Sequence, residues 1–461
     1  MLTLSRRAVL QALAAQAMAV GSAFGQTRLL RKPKPLSKDA VTHDWATFLG
    51  PSHNGVSTET RLSRSLPPPL VWEFPRGTGY ASPAIVGDRL VYIHRRANEE
   101  VVDCLHPETG AARWTFTYPT VFEDRYGYNN GPRSSPVIDE GRVFTTGAEG
   151  KLHCLDLASG KLIWKRDFAT EYRVRQDFFG TGSTPLVSGR LLIVNVGGQG
   201  GPSVVGLDKT TGREVWRAGK EWGPSYASPV PATIHGKARV FVFAGGESDP
   251  PSGGLMSIDP ETGRVDFVFP WRSRTRESVN ASCPVVFDNK VFISASYRTG
   301  GALVEVRPDF THRVLWTTQE FGLHFNTPIH RNGYLYGFDG RNEPDASLAC
   351  IDVASGKAVW RETPEWMETL EAGGRSQVLG TYRGSLLAAD GQYLCLGELG
   401  HLLWMDLTPK GYKEVSRAWL FAARESWGLP VLSHGLLYVA QNTRDTLHGT
   451  AARLLCYDLR A

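Results

Sequence analysis

Apolar positions along this chain come in short runs, not at helical spacing. SPAIVGDRLVYI from Ser82 and SPVIDEGRVFTT from Ser135 show the pattern: a Ser-Pro pair, a few β-branched or aliphatic residues, a Gly-bearing turn, then a second apolar run. Proline cannot donate to a strand ladder, so each stretch predicts two short strands with proline at the entrance of the first. A second unit follows. It reads HPETG at 106, DLASG at 156, DKTTG at 208, DPETG at 259 and DVASG at 352, and four residues after each glycine stands an aromatic: Trp114, Trp164, Trp216, Phe267 and Trp360. An aspartate can bond its own backbone two residues on, and glycine takes positive φ without a steric penalty, so this unit predicts two further strands across a tight turn.

Four short strands per unit of about 50 residues is the arithmetic of a propeller blade, with each aromatic a wedge against the neighbouring blade. Seven units start at Pro83, Pro136, Pro185, Pro229, Pro284, Pro328 and Pro430. The eighth is degenerate: DGQYLCLGELGHLLWMD from Asp390 matches DEGRVFTTGAEGKLHCLD from Asp139 and puts Leu386 where the others have proline. The final unit stops at LLCYDLRA before a closing turn, whereas LVWEF at 70–74 carries an orphaned Trp72. The expected fold is therefore all-β: an eight-bladed β-propeller with four-stranded antiparallel blades, the last closed by an N-terminal strand. Such closure removes the open edges of the ring.

The N-terminus reads differently. Arg6 and Arg7 precede the apolar stretch LQALAAQAMAVGSAF and a small-x-small site at Ala23–Gly25, the pattern of a twin-arginine export signal. The expected organisation is a signal peptide over 1–25, a basic, Pro-rich segment over 26–69, and the propeller over 70–461. The expected setting is periplasmic or extracellular, with no transmembrane segment in the mature chain, which is expected to be a monomer. The seven basic residues and one acid before position 40 more than account for the formal charge of +5, leaving −1 beyond it. Such a balance gives no concentrated basic face for nucleic acid. Arg28, Arg31, Lys32, Lys34 and Lys38 read as a solvated tail. Cys104, Cys154, Cys350 and Cys456 share one position in four units, and Cys283 and Cys395 fall elsewhere, so all six are expected as free, buried thiols. No Cys or His spacing suggests a metal site.

Loops entering the innermost strands converge on one mouth of a propeller channel. Three residues before each marker stand Tyr80, Arg133, Gly182, Tyr226, Ala281, Phe325, Arg383 and Trp427, with Asn129, Asn130, Glu277, Asn280, His324, Asn326, Arg375 and Glu425 nearby. Rings, guanidinium groups and amides in this mixture suit a polar, partly planar or sugar-like ligand. The amides could equally satisfy loop backbone, and Arg133 and Arg383 could pair with Glu277, Glu371 or Glu425 across the ring. Off the repeat phase, Trp222, Trp271 and Trp366 read as loop anchors.

These repeats resemble the quinoprotein-like (PQQ-type) propeller superfamily over residues 70–459, and DWATFLGPSHNGVS from Asp44 is similar to an opening common in exported bacterial members, with Leu49 where arginine is expected. The resemblance embraces quinone-dependent alcohol dehydrogenases and the outer-membrane assembly propeller, so it leaves the activity open. Three readings stand. One is a non-catalytic ligand-binding or protein-scaffolding module serving a periplasmic protein or a small polar or carbohydrate ligand. Another is a dehydrogenase of alcohols or sugars using pyrroloquinoline quinone (PQQ) and calcium, for which the resemblance implies residues of the types of Glu277, Asn280, Glu425, Arg133 and Trp427. It lacks the adjacent cysteine pair and the CxxCH haem signature. The third is a carbohydrate hydrolase or lyase using His324, Glu277 or Glu425 as acid and base.

Overall fold

Eight antiparallel sheets follow one another around a central channel, each laid down from the innermost strand outward. The computed structural model describes residues 26–461, apart from Arg175, Asp177, Gln199, Glu221, Glu343, Pro344 and residues 371–373. The twin-arginine segment lies outside the described residues, as does Glu371. Blade 1 is Ala84–Val86, Arg89–Arg96, Glu99–Leu105 and Ala112–Pro119. Blade 7 begins with Ser385–Ala389, which carries Leu386 at its expected place. Blade 8 is Val431–Ser433, Leu436–Ala440 and Arg453–Asp458, closed by Leu70–Pro75 with Trp72 opposite Cys456.

The wedges act at the outer part of each junction. The indole N–H of Trp114 donates to Leu157 O at 2.9 Å, Trp164 to Lys209 O at 3.1 Å, Trp216 to Pro260 O at 2.9 Å and Trp72 to Pro107 O at 2.7 Å, each in the next blade's turn. The ring also covers the turn glycine. Gly212 has φ +71°, and a Cβ there would sit 2.7 Å from the Trp164 ring, so both conformation and contact demand glycine. Burying these rings supplies much of the apolar area that joins blade to blade.

Three junctions depart from this scheme. In blade 4 the wedge is Phe267, which has no N–H and packs by its ring alone, 4.6 Å from the His312 ring of blade 5. In blade 5 the turn Arg307–Thr311 lacks glycine and Phe310 takes φ 64°, yet Trp316 still donates to Val353 O at 2.8 Å. Between blades 7 and 8, Ser416 stands opposite Trp404 where a wedge belongs, and Arg64 from the N-terminal segment lies 4.0 Å over the Trp404 ring while its carbonyl accepts from Ser416 Oγ.

The Ser-Pro pairs have a structural role of their own. The N–H of Ser82 donates to Ser135 Oγ, Ser135 to Thr184 Oγ1, Thr184 to Ser228 Oγ, Ser228 to Cys283 Sγ and Cys283 to Thr327 Oγ1, at 3.0–3.2 Å. This girdle passes from blade to blade around the channel. It also explains Cys283, whose sulfur stands where other blades carry a hydroxyl. All six cysteines are buried and unpaired.

Residues 43–57 close one end of the channel. Trp45 pairs with Ile85 of blade 1, Ala46 O accepts from Ile138 N of blade 2, Leu49 packs among blades 4 and 5, Val56 bridges to Ala388 of blade 7, and His43 O accepts from Ser433 Oγ of blade 8. Buried Glu59 fixes the exit of this plug by accepting from the backbone of His43, His434 and Gly435. The expected solvated tail is in fact docked along blade 8: Arg28–Leu29 pairs with Leu70–Pro75, and Lys34 N–H donates to Asp458 Oδ2 at 2.7 Å. Backbone pairing on an open edge strand outweighs the solvation of the flanking basic side chains. Trp222 is buried, and Trp271 and Trp366 pack against the core as anchors. No helix among the described residues is long and apolar enough to cross a membrane.

Candidate functional site

The end opposite the plug is open. A cavity of about 200 Å³ is lined by Tyr80, Arg133, Gly182, Tyr226, Ala281, Phe325, Arg383 and Trp427, one residue from the entrance loop of each blade. Phe48 and Leu49 of the plug also line it, as do the girdle hydroxyls of Thr184, Ser228, Thr327 and Ser385. His324 and Asn326 complete the polar lining.

The walls are aromatic and braced. Trp427 stacks on Tyr80 with ring centroids 5.2 Å apart at 22°, and meets Phe325 at 5.1 Å and Tyr128 at 5.6 Å. Arg383 lies 4.8 Å over Trp427, and Arg133 lies 5.3 Å over Tyr80. Each guanidinium is neutralised from behind. Asp124 holds Arg133 at 2.5 Å, and Glu398 takes Arg383 through both carboxylate oxygens while accepting the Trp427 indole N–H at 2.8 Å. The expected cross-ring partners Glu277 and Glu425 do not serve: both arginines find a carboxylate within their own blade. Charge-assisted pairs of this kind fix the orientation of planar groups, here the rings on which the cavity depends.

Glu425 and Asn129 stand one side chain behind the wall. Glu425 accepts from Tyr80 Oη at 2.6 Å and is linked through Asn442 to Asn129. Burial, followed by the hydrogen bond to Glu425, pushes the Tyr80 hydroxyl above its ordinary range and keeps it a donor. Asn130 accepts from Asp124 N and braces the loop instead of lining the cavity. Asn280 is buried, its amide donating to Ala244 O and Trp271 O. Glu277 and Arg375 are exposed and do not line the cavity. Of the sixteen residues singled out in the sequence, the structure thus brings the eight entrance-loop residues, His324 and Asn326 around one space. Asp124 and Glu398 were missed by sequence reading, as were the plug residues Phe48 and Leu49.

His324 is the histidine of the lining. Burial, with Arg383 and Arg341 nearby, lowers its imidazole to about 3, so it is neutral at physiological pH. Tyr297 Oη engages Nε2 at 3.1 Å, and Nδ1 is buried without a hydrogen-bond partner among the described residues. Asn326 donates through Nδ2 to the carbonyls of Arg383 and Gly384, which fixes Oδ1 as its unused acceptor.

The residues needed for calcium and quinone do not fit. Arg133 and Trp427 line the cavity, but the Asn280 amide is tied to backbone, Glu277 is exposed, and Glu425 is engaged by Tyr80. Among the described residues no group of three His, Cys, Asp or Glu side chains is placed to hold a metal ion. The acid and base of the hydrolase reading do not assemble either: His324 lines the cavity without Glu277 or Glu425.

Residues 98–362, more than half of the chain, match the PQQ_2 family, Outer membrane protein assembly factor BamB. The alcohol dehydrogenase (quinone), dehydrogenase subunit, of Gluconobacter oxydans is 24% identical over 52% of this chain and 33% of its own length. The outer membrane protein assembly factor BamB of Nitrosomonas eutropha is 36% identical over 18% of each chain. The chain spans a third or less of the length of the curated relatives it matches. A europium-containing methanol dehydrogenase superposes with a TM-score of 0.62 at 12% identity, over 90% of this chain and 98% of that one. BamB from Moraxella catarrhalis does so with a TM-score of 0.52 at 15% identity, over 84% and 97%. Identities this low speak for the propeller fold and not for an activity. By its repeats and its profile, the chain belongs to the PQQ_2 family, Outer membrane protein assembly factor BamB.

Proposed function

We propose that this protein is an exported, non-catalytic propeller that binds a small polar ligand in the mouth of its channel, acting as a ligand-binding or scaffolding module in the periplasm. The observation that carries the reading is the convergence of eight entrance-loop positions, one per blade, on a blind cavity whose charged groups are already paired. A cavity that ends on the plug is suited to holding a ligand and not to conducting one. Paired guanidinium groups and aromatic walls suit recognition, and no acid–base pair meets there. The name of the family agrees with a scaffolding role, and twin-arginine export supplies the setting.

Filling the cavity provides the test. Ala281→Trp places a ring in the space while leaving every ion pair intact, and its fold is checked by circular dichroism melting. Neutral saccharides, aromatic peptides and PQQ with calcium chloride are titrated by calorimetry against the wild type and this variant. Saturable binding of one class, lost in Ala281→Trp, is the expected result. Binding indifferent to Ala281→Trp contradicts the proposal, as does reduction of an artificial electron acceptor with alcohol after PQQ and calcium loading.

A further inference from the structure

We infer that the mouth selects an uncharged saccharide, an inference that rests on the mouth being the binding site. Three features carry it, the first being charge. Arg133 and Arg383 would attract a carboxylate ligand if they were free, but Asp124 and Glu398 hold them, so an anion would meet two carboxylates directly behind the cations. A cationic ligand meets the opposite arrangement, with the guanidinium groups already lying over Tyr80 and Trp427. Neither charge finds a partner that is not already taken.

The second feature is the platform. Trp427, held by its indole N–H on Glu398, lines the cavity together with Tyr128, Phe179, Tyr226 and Phe325, and the apolar C–H face of a pyranose packs on aromatic walls of this kind while its hydroxyls remain at the edge.

The third is the character of the polar lining. Asn326 offers Oδ1 as an acceptor, and Thr184, Ser228, Thr327 and Ser385 add hydroxyls at the base. A ligand hydroxyl can donate to the first and donate to or accept from the others. A purely apolar ring would leave Asn326 Oδ1 unsatisfied, which penalises it relative to a polyhydroxylated one.

The experiment compares maltotriose, cellobiose and N,N′-diacetylchitobiose with trigalacturonate as an anionic counterpart, by calorimetry on the wild type, Trp427→Leu, Asn326→Leu and Ala281→Trp. Melting curves first establish that each variant is folded. Expected are saturable binding of a neutral saccharide and at least tenfold weaker binding of trigalacturonate. Trp427→Leu and Asn326→Leu should each weaken the neutral ligand about tenfold, the scale of one lost hydrogen bond or ring contact. If PQQ, a peptide or trigalacturonate binds and is blocked by Ala281→Trp while neutral saccharides do not bind, the saccharide inference is overturned and the mouth remains the site. If Ala281→Trp blocks no probe, the inference and the mouth reading fall together.

Discussion

Two positions in the repeat invite comparison. At the wedge position six blades carry the same residue, a tryptophan whose N–H finds the next blade's turn, and blade 4 keeps the ring as Phe267. Three residues before each inner strand, the eight blades carry Tyr, Arg, Gly, Tyr, Ala, Phe, Arg and Trp. The first position faces the same problem at every junction and meets it with an aromatic ring at all but the junction of blades 7 and 8. The second surrounds a single asymmetric space, so each blade contributes something different. Within one chain, uniformity marks the scaffold and variation at a fixed repeat phase marks the place where a ligand would be read.

The sharpest way to break this comparison is to remove one tryptophan from each position. Trp164→Ala should cost about 3–5 kcal/mol in urea unfolding, because a packed ring and its bond to Lys209 O are lost together. Trp427→Ala should cost about 1–2 kcal/mol and act on binding instead. Equal destabilisation by the two would mean that the mouth ring is scaffold after all.

Glu398→Gln tests whether the mouth has its own bracing. The carboxylate is buried beneath Arg383 and Trp427, so its neutralisation should cost about 3 kcal/mol and lower the order of both side chains, read by unfolding and by Trp427 fluorescence. Blade junctions far from it should keep their hydrogen-exchange protection.

The wedge itself can be separated from backbone strain. Gly212 and Gly141 both have positive φ, +71° and +76°, but a Cβ at Gly141 meets nothing within 4 Å. Gly141→Ala should therefore cost about 1 kcal/mol from conformation alone, and Gly212→Ala should cost more by roughly 1–3 kcal/mol through the clash with Trp164. Equal costs in a thermal melt would remove the ring from the explanation.

The pH dependence is a gradient and not a single cost. Burial lowers His324 and His401 to about 3, whereas unfolded histidine titrates near 6.5. Between those values the unfolded chain binds more protons than the native one. Stability is thus complete above pH 6.5 and falls as the pH drops toward 3, by up to about 1.4 kcal/mol per pH unit for each group. His324→Gln should flatten the slope by one proton between pH 6 and pH 4, and an unchanged slope would show that His324 is protonated in the folded state.

Much of this was legible in the chain because repetition amplifies weak signals. Turn, wedge and strand entrance recur at fixed spacing, so the eight blades, the closing strand at Trp72 and the eight mouth positions follow from counting. Trp316 escaped because its turn uses Phe310 in place of glycine. Asp124 escaped because it lies on the irregular loop between blades 1 and 2, outside the repeat phase, and Glu398 because it stands on a strand-joining turn of blade 7 where the matched segment of blade 2 has Ala148. The plug escaped for a related reason: residues 43–57 are not a repeat, and their contacts with inner strands hundreds of residues away leave no local pattern. Glu277 and Arg375 are near the right place in sequence only, since long loops carry neighbouring residues out of the cavity.

The central claim, that the varied position and not the uniform one meets the ligand, is tested most directly by fluorine NMR of protein labelled with 5-fluorotryptophan. The chain has 13 tryptophans, and Trp427→Phe assigns the resonance of the mouth. On titration with a neutral saccharide, the Trp427 signal should shift saturably while the signals of Trp72, Trp114, Trp164 and Trp216 stay in place. Saturable shifts at the wedges with an unmoved Trp427 signal would contradict the account and move recognition to the outer rim of the blades.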